Sequence, residues 1–484
     1  MLKNIPSPFD TLEELFNKNC VFVDKTQYIE QYEKANKSIT TFTRPRGFGK
    51  SIFLQCLYYY YDIALKEKMD KILFNTYIYN HPTSYKSKYA VIKFDFSIID
   101  TKSSAGSIKI DFRLCAIKGI SDFYKRYPDI IPQELKDLAK ATETTFDDVI
   151  ETYYFNDDKF KQTAEILEEF LVSLKEQKIP YNIMVLINEN DNFTNGVLEQ
   201  DKGFLYGVVN PSKEIFSFYK TLLSYHHEGV IKKIFSVSTF KSILNVDTKD
   251  TDLVLNEAAG FTKDEVLQVI KETVEPTLCK SPQEELLDII ISRFEGYSFS
   301  NNANQKVIKP SSVFKFLQDL EDNFGNDPDY AQSVSRDYGN HILYTCLKLM
   351  PKEVSDKLVD TIIKKNPLYL EDSVAIGKGG PSTQLSYDEG VALLYYLGFL
   401  TVMPHAEVKH SFGEVNPERT YLKFPNQYTE FQYSKYLVEQ ANIPWDKLMG
   451  CGSLISNMAN QNDLSGLEQG VKQIFGWFEF KVII

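Results

Sequence analysis

The chain has 484 residues, which at about 150 per domain gives roughly three domains and ample material for cores. With 43% apolar and 25% charged residues, a predominantly disordered chain is excluded. The 66 acidic and 54 basic side chains leave a net charge of -12, which excludes nucleic-acid binding through general charge; any such contact needs a local basic patch.

The chain opens MLKNIPSPFDTLEEL, which lacks the apolar core of a secretion signal. Residues 39–43 read as a strand, followed by RPRGFGKS and the helical SIFLQCLYYYYDIA. Residues 90–96 (AVIKFDF) are a second strand. About 108–177 reads as a mainly helical insertion. Residues 182–187 form a third strand, a short apolar run of the kind buried on both faces, and 234–237 a fourth. Strands separated by helices imply a parallel sheet with helical crossovers.

After about Leu253 the character changes. Thr262 followed three residues later by Glu265 marks a capping-box helix start, and LLDIIISRFEGY reads as a second helix. Beyond Val307 the chain is mostly helical. DEGVALLYYLGFLTV and ERTYLKF, a helix leading into two short strands, suggest a small winged-helix-like module. From Glu430 the chain reads as helical until a final FEFKVII. The longest nearly apolar run, 390–403, is too short to span a bilayer. The resulting division is 1–250 for the α/β domain, 251–330 for a helical lid, 331–430 for the winged-helix-like module and 431–484 for a helical tail.

The strongest local signal is Arg44-Pro45-Arg46-Gly47-Phe48-Gly49-Lys50-Ser51, between a strand and a helix. Glycines let backbone N–H groups wrap a phosphate, a lysine reaches its oxygens, and the following hydroxyl ligates Mg²⁺. Arg46, Gly47, Phe48, Gly49, Lys50 and Ser51 are therefore assigned to the nucleotide, although Arg44 stands where the full pattern has its first glycine. The third strand ends Asn188-Glu189-Asn190-Asp191. An apolar strand ending in acids is the Walker B arrangement. Glu189 sits where the general base belongs, while Asn188 replaces the metal-facing aspartate. Asp191 is three residues on and could share the metal with Ser51 and Asn188. At the end of the fourth strand, Ser236 and Ser238 are candidates for sensing a γ-phosphate. Arg44 and Arg46 are candidates for positioning phosphate or stabilising its charge.

Other constellations carry less. Six scattered cysteines without a Cys-x-x-Cys pair exclude a zinc ribbon and fit a reducing compartment. His226/His227 and His405/His410 lack metal-ligand spacing. The tyrosines at 58–61 read as a helix packed on a sheet, with base stacking as the alternative. Lys232 and Lys233 read as solvated.

Taken together, these elements resemble the AAA-ATPase-like family, P-loop proteins often fused to a C-terminal PD-(D/E)XK nuclease-like domain. Val23-Asp24-Lys25-Thr26 is similar to that family's "VDKT", RPRGFGKS to its "RPRRFGKS", and VIKFDFS at 91–97 to "VIxLDFS". INEND at 187–191 stands where the family has "IDEYD", so Asn188 and Asn190 are departures. GFT at 260–262, EGYSF at 295–299, YLGFLTV and LKFPN resemble "GFT", "NGYxF", "YxGYLT" and "LxIPN". The resemblance implies an α/β P-loop NTPase fold of the AAA-like kind, with ATP and Mg²⁺ as cofactors and weak or lost hydrolysis because of Asn188. The alternatives are a non-enzymatic interaction protein whose loop is scaffold, and a DNA-processing factor with nuclease relatives. Asp463 and Glu479-x-Lys481 suggest only a nuclease remnant, since Glu-x-Lys also occurs at 176/178 and 407/409. Expected partners are a nucleotide and a protein partner or a second copy, with weak nucleic-acid contact left open, no membrane and a cytoplasmic location.

Overall fold

In the computed structural model, residues 2–8, 10–99, 105–142, 144–155, 159–189, 213–240, 255–275, 283–322, 339–364, 366, 368–370 and 384–440 are described. The four strands of the first half are β1 (Ile39–Thr43), β2 (Tyr89–Asp95), β3 (Asn182–Asn188) and β4 (Ile231–Ser238). They form one sheet in the order β1-β4-β3-β2, every neighbouring pair parallel. Parallel neighbours cannot be joined by a tight turn, so each crossover is long enough to carry helices.

In parallel strands register partners share a face, and successive residues alternate between faces. Phe42, Val91, Met184, Leu186, Phe235 and Val237 pack on one face against helices α1 (Leu12–Asn17), α2 (Gln27–Lys34) and α3 (Lys50–Tyr61). Ile92, Phe94, Val185, Ile187 and Ile234 pack on the other, against Phe112, Phe123, Phe170 and Phe218. Full burial of each such side chain contributes about 1.5–3 kcal/mol, so both layers hold the sheet. Double-sided burial is also why 182–187 reads as a continuous apolar run.

The helical insertion between β2 and β3 is present as Ala105–Arg126, Gln133–Thr142, Phe146–Tyr154 and Thr163–Glu176. Tyr59, Tyr60 and Tyr61 are buried between α3 and its surroundings, which makes them packing residues. β4 begins three residues earlier than expected. Lys233 is half-buried rather than solvated: its ammonium lies 5.2 Å from the Tyr32 ring and 5.8 Å from the Tyr85 ring, and burial pushes its pKa down.

Past 250, the Thr262/Glu265 capping box starts the helix Lys263–Thr273 as the spacing predicts. The helix Gln283–Phe294 stops three residues short of the expected Tyr297, and Glu295–Tyr297 pairs with Val307–Ile308 as a small antiparallel hairpin. Gly296 explains the break: its φ is 142°, and a Cβ there would overlap the Pro425 carbonyl. The helix Pro310–Asp322 follows. Further on, the helix Tyr387–Tyr396 leads into Thr401–Val402 and Thr420–Lys423, which are antiparallel. The helix His405–Phe412 lies between them in sequence, and Leu368–Leu370 adds a third antiparallel strand.

The chain divides into two compact units, Met1–Tyr428 and Thr429–Ile484, so the expected segments 1–250 and 251–330 fall within the first unit, and 331–430 does so except for its last two residues. The helix Gln427–Gln440 is the last described element. Asp463, Glu479 and Lys481, read as a nuclease remnant, lie outside the described residues, as do Asn190 and Asp191. Among the described residues no helix is long and apolar enough to cross a membrane. The four described cysteines, Cys20, Cys56, Cys115 and Cys346, are buried free thiols.

Candidate phosphate-binding site

β1 ends at Thr43 and α3 begins at Lys50, so the six residues between them turn the chain at the tip of the sheet. Two glycines make the turn. Gly47 has φ 81° and Gly49 φ 89°, left-handed values that a side chain adopts only at a cost of about 1–2 kcal/mol. Nothing lies within 4 Å of where a Cβ on Gly49 would stand, which leaves open space at the helix start. Lys50 is 4% exposed and bends across the loop, its Nζ donating to the Arg44 carbonyl at 2.8 Å and the Pro45 carbonyl at 3.1 Å. The ammonium is thus already held at the loop's centre.

The next residue reaches across the sheet. Ser51 Oγ donates to Asn188 Oδ1 at 2.9 Å, joining the first turn of α3 to the tip of β3. Asn188 is buried, and its Nδ2 donates to Asp95 Oδ1 at 3.0 Å. Asp95 and Asn188 are register partners at the ends of β2 and β3. Asp95 Oδ1 also accepts from Ser97 N at 3.1 Å and Ser97 Oγ at 2.6 Å, and Lys93 Nζ lies 3.7 Å from Asp95 Oδ2. Glu189, half-buried, follows at φ 46°, a left-handed conformation rare for a glutamate and found where surroundings over-determine the backbone.

The fourth strand does lie beside β1, yet Ser236 is not brought to this cluster. Its register partners are Thr41 and Ile187, so it points to the face opposite Asn188. There it is fully buried, with its Oγ 3.1 Å from Thr41 Oγ1. Ser238 lies on the same face, donating to the Phe240 carbonyl at 2.7 Å.

Arg44 is also turned away from a phosphate role. It is 1% exposed, with its guanidinium 4.7 Å from the Phe42 ring and 4.2 Å from the Phe299 ring. Its Nη2 donates to the Leu255 carbonyl at 3.0 Å and its Nη1 to the Thr43 carbonyl at 2.7 Å. Arg46 and Gly47 are exposed. Phe48 is 1% exposed and inserts edge-on between Tyr297 and Phe299, with ring centres 4.9 and 5.2 Å away. The Phe48 carbonyl accepts from Gly260 N at 3.0 Å, and the Gly47 carbonyl from Ser311 N at 3.2 Å. Residues after 250 therefore form one wall of the loop. GFT at 260–262 and EGYSF at 295–299 are recognisable motifs, but nothing local in them points to the loop roughly 200 or more residues earlier in the chain.

The VDKT element is a second tie between the halves. Lys25 Nζ meets Glu265 Oε2 at 2.6 Å, and Tyr28 Oη donates to Glu257 Oε2 at 3.0 Å. Burial pushes the Lys25 ammonium's pKa down, against the opposing pull of Glu265. Asp24 accepts from Tyr77 N at 2.6 Å and Thr26 Oγ1 from Ile78 N at 3.1 Å. His226 contacts the Ile231 carbonyl and Ser38, and His405 the Arg419 carbonyl. No group of three or more His, Cys, Asp or Glu able to hold a metal occurs among the described residues.

This arrangement, a glycine-turned loop between β1 and α3 facing a polar strand tip, accompanies a match to the AAA-ATPase-like family model, described as a predicted AAA-ATPase, over residues 6–243. Those residues belong to the AAA-ATPase-like family. No curated protein matches the chain. The AAA-ATPase-like segment holds all four parallel strands, the loop, Asp95, Asn188 and Glu189. The wall formed by Gly260, Tyr297, Phe299 and Ser311 lies beyond it. The donors fit what the family implies. A hydroxyl, an amide oxygen and a carboxylate are hard oxygen ligands of the type Mg²⁺ takes, and the open space at Gly49 suits an anion at a helix start.

Proposed function

We propose that the protein binds ATP with Mg²⁺ at the loop 46–51 and hydrolyses it slowly. The observation that carries this reading is the loop itself: two left-handed glycines followed by Lys50 and Ser51 at the first turn of α3, with Ser51 joined to Asn188. Loop amides and Lys50 would hold the phosphates, and Ser51 with Asn188 would face the metal. Mg²⁺, when bound, neutralises charge on the β- and γ-phosphate oxygens. Glu189, next after Asn188, would polarise an attacking water. Slow turnover follows from Asn188, because an amide contributes no negative charge to the metal. An interaction weakened mainly in the transition state reduces turnover more than binding.

Replacing Lys50 by Ala removes a charge-assisted contact and should cost about 1.5–3 kcal/mol, roughly ten- to hundredfold in ATP affinity. Calorimetric titration of wild type and Lys50→Ala checks it; equal affinities would refute the assignment. A second reading, the loop as a scaffold only, is favoured by one observation: Lys50 is already satisfied by two loop carbonyls. On that reading neither protein binds ATP, and Lys50→Ala lowers only the melting temperature.

A further inference from the structure

We propose that Asp95 is the charge-bearing positioning residue of the Mg²⁺ site, supplying from β2 the negative charge that position 188 lacks. The proposal rests on the reading of the site as an ATP–Mg²⁺ site. Its basis is the relay from Ser51 Oγ to Asn188 Oδ1 at 2.9 Å and from Asn188 Nδ2 to Asp95 Oδ1 at 3.0 Å. All three groups lie on one face of the sheet, because Asp95 and Asn188 are register partners and Ser51 reaches Asn188 from α3.

A carboxamide has one accepting and one donating end. Asp95 can only accept when ionised, so it draws the N–H end of Asn188 toward β2 and leaves the oxygen facing Ser51. A neutral residue at position 95 would remove this bias and allow the amide to turn its N–H groups toward the cation. Asp95 is itself anchored: Ser97 donates to Oδ1 from both its backbone nitrogen and its hydroxyl, while Lys93 lies nearer Oδ2. The carboxylate thereby acts in two ways. It fixes which atom Asn188 presents, and it polarises the amide so that its oxygen carries more negative charge, as a carboxylate behind a metal-binding side chain does. With aspartate at 188 the two carboxylates would lie side by side at the strand tips; the amide keeps one charge in the pair instead of two.

The test uses the full chain and titrates ATP calorimetrically in EDTA and in Mg²⁺, with Mn²⁺ binding to the ATP complex followed by EPR. Asp95→Asn should leave ATP affinity in EDTA unchanged and reduce the affinity for Mg²⁺ or Mn²⁺ roughly 10–100-fold, the loss expected when the carboxylate behind a metal ligand is removed. Adding Asn188→Asp to Asp95→Asn should restore metal affinity by returning one carboxylate to the pair. Equal metal affinity in wild type and Asp95→Asn, while Lys50→Ala has lost ATP, overturns the role of Asp95 and leaves the nucleotide site standing. Equal loss of ATP affinity in EDTA and in Mg²⁺ overturns it too, since that marks a purely structural residue. If Lys50→Ala binds ATP as wild type does, the site reading itself fails. Should Asp95→Asn not fold, Asp95→Ser is read by the same titrations.

Discussion

An amide at position 188 has nearly the volume of a carboxylate but none of its charge, and it sits buried between Ser51 and Asp95. Asn188→Asp therefore changes electrostatics with little change in packing. Hydrolysis of bound ATP in a single turnover should rise roughly tenfold, equivalent to about 1.4 kcal/mol of barrier. Affinity for ATP in EDTA should not improve. The new carboxylate would stand where an N–H now donates to Asp95, so without metal the two like charges repel. Asn188→Asp should accordingly melt below wild type in EDTA and recover with Mg²⁺ and ATP. No gain in turnover, with activity abolished by Glu189→Gln, would show that another group already serves the metal.

At the scale of the loop, its two glycines share a backbone conformation but not an environment. Gly47 has φ 81°, and a Cβ on it would collide with the Ser311 side chain and the Lys309 stem; Gly49 has φ 89° and open space. The difference separates backbone strain from overpacking. Gly49→Ala should cost only the left-handed strain, about 1–2 kcal/mol. Gly47→Ala adds a collision worth about 1–3 kcal/mol more. Urea denaturation of the two variants measures the gap, and equal losses would mean that the segment after 250 does not press on the loop. The same segment holds Phe48 between Tyr297 and Phe299 and bonds the Phe48 and Gly47 carbonyls. Residues beyond the AAA-ATPase-like segment therefore touch the loop directly.

For the first unit as a whole, the ion pair between Lys25 and Glu265 joins residues 240 positions apart with both side chains mostly buried, at 12% and 18% exposure. Glu265 has a second task, accepting from Thr262 N at 2.7 Å to cap the helix Lys263–Thr273. Lys25→Met would leave that carboxylate without its cation and should destabilise by about 1.5–3 kcal/mol. Glu265→Gln in the Lys25→Met background should recover part of the loss, because an amide is cheaper to bury than an unpaired charge. A double-mutant cycle from urea unfolding decides this, and additive losses would show that the pair is not coupled.

Local chemistry accounts for what was legible in the sequence. Apolar runs at 90–96 and 182–187 become strands because both faces of a parallel sheet are buried, and Gly49-Lys50-Ser51, after a strand and a glycine turn, opens α3. The Thr262/Glu265 capping box needed only its own four residues. Tertiary structure decided the rest, because it depends on register and on partners distant in the chain. Ser236 lies at the strand tip beside β1, as read, but pairing with Ile187 turns it to the far face, and only strand parity determines that. Arg44 carries a charge suited to phosphate, yet the rings of Phe42 and Phe299 and the carbonyl of Leu255 draw it inward. Asp95 lies 93 positions from Asn188, and no local pattern links them; the β2–β3 register puts the two side chains together. Sequence by itself determined which groups could serve a phosphate and a metal, because those are properties of side-chain type and turn geometry. The fold determined which of them meet, because strand order and register choose the neighbours of every side chain at the tip of the sheet.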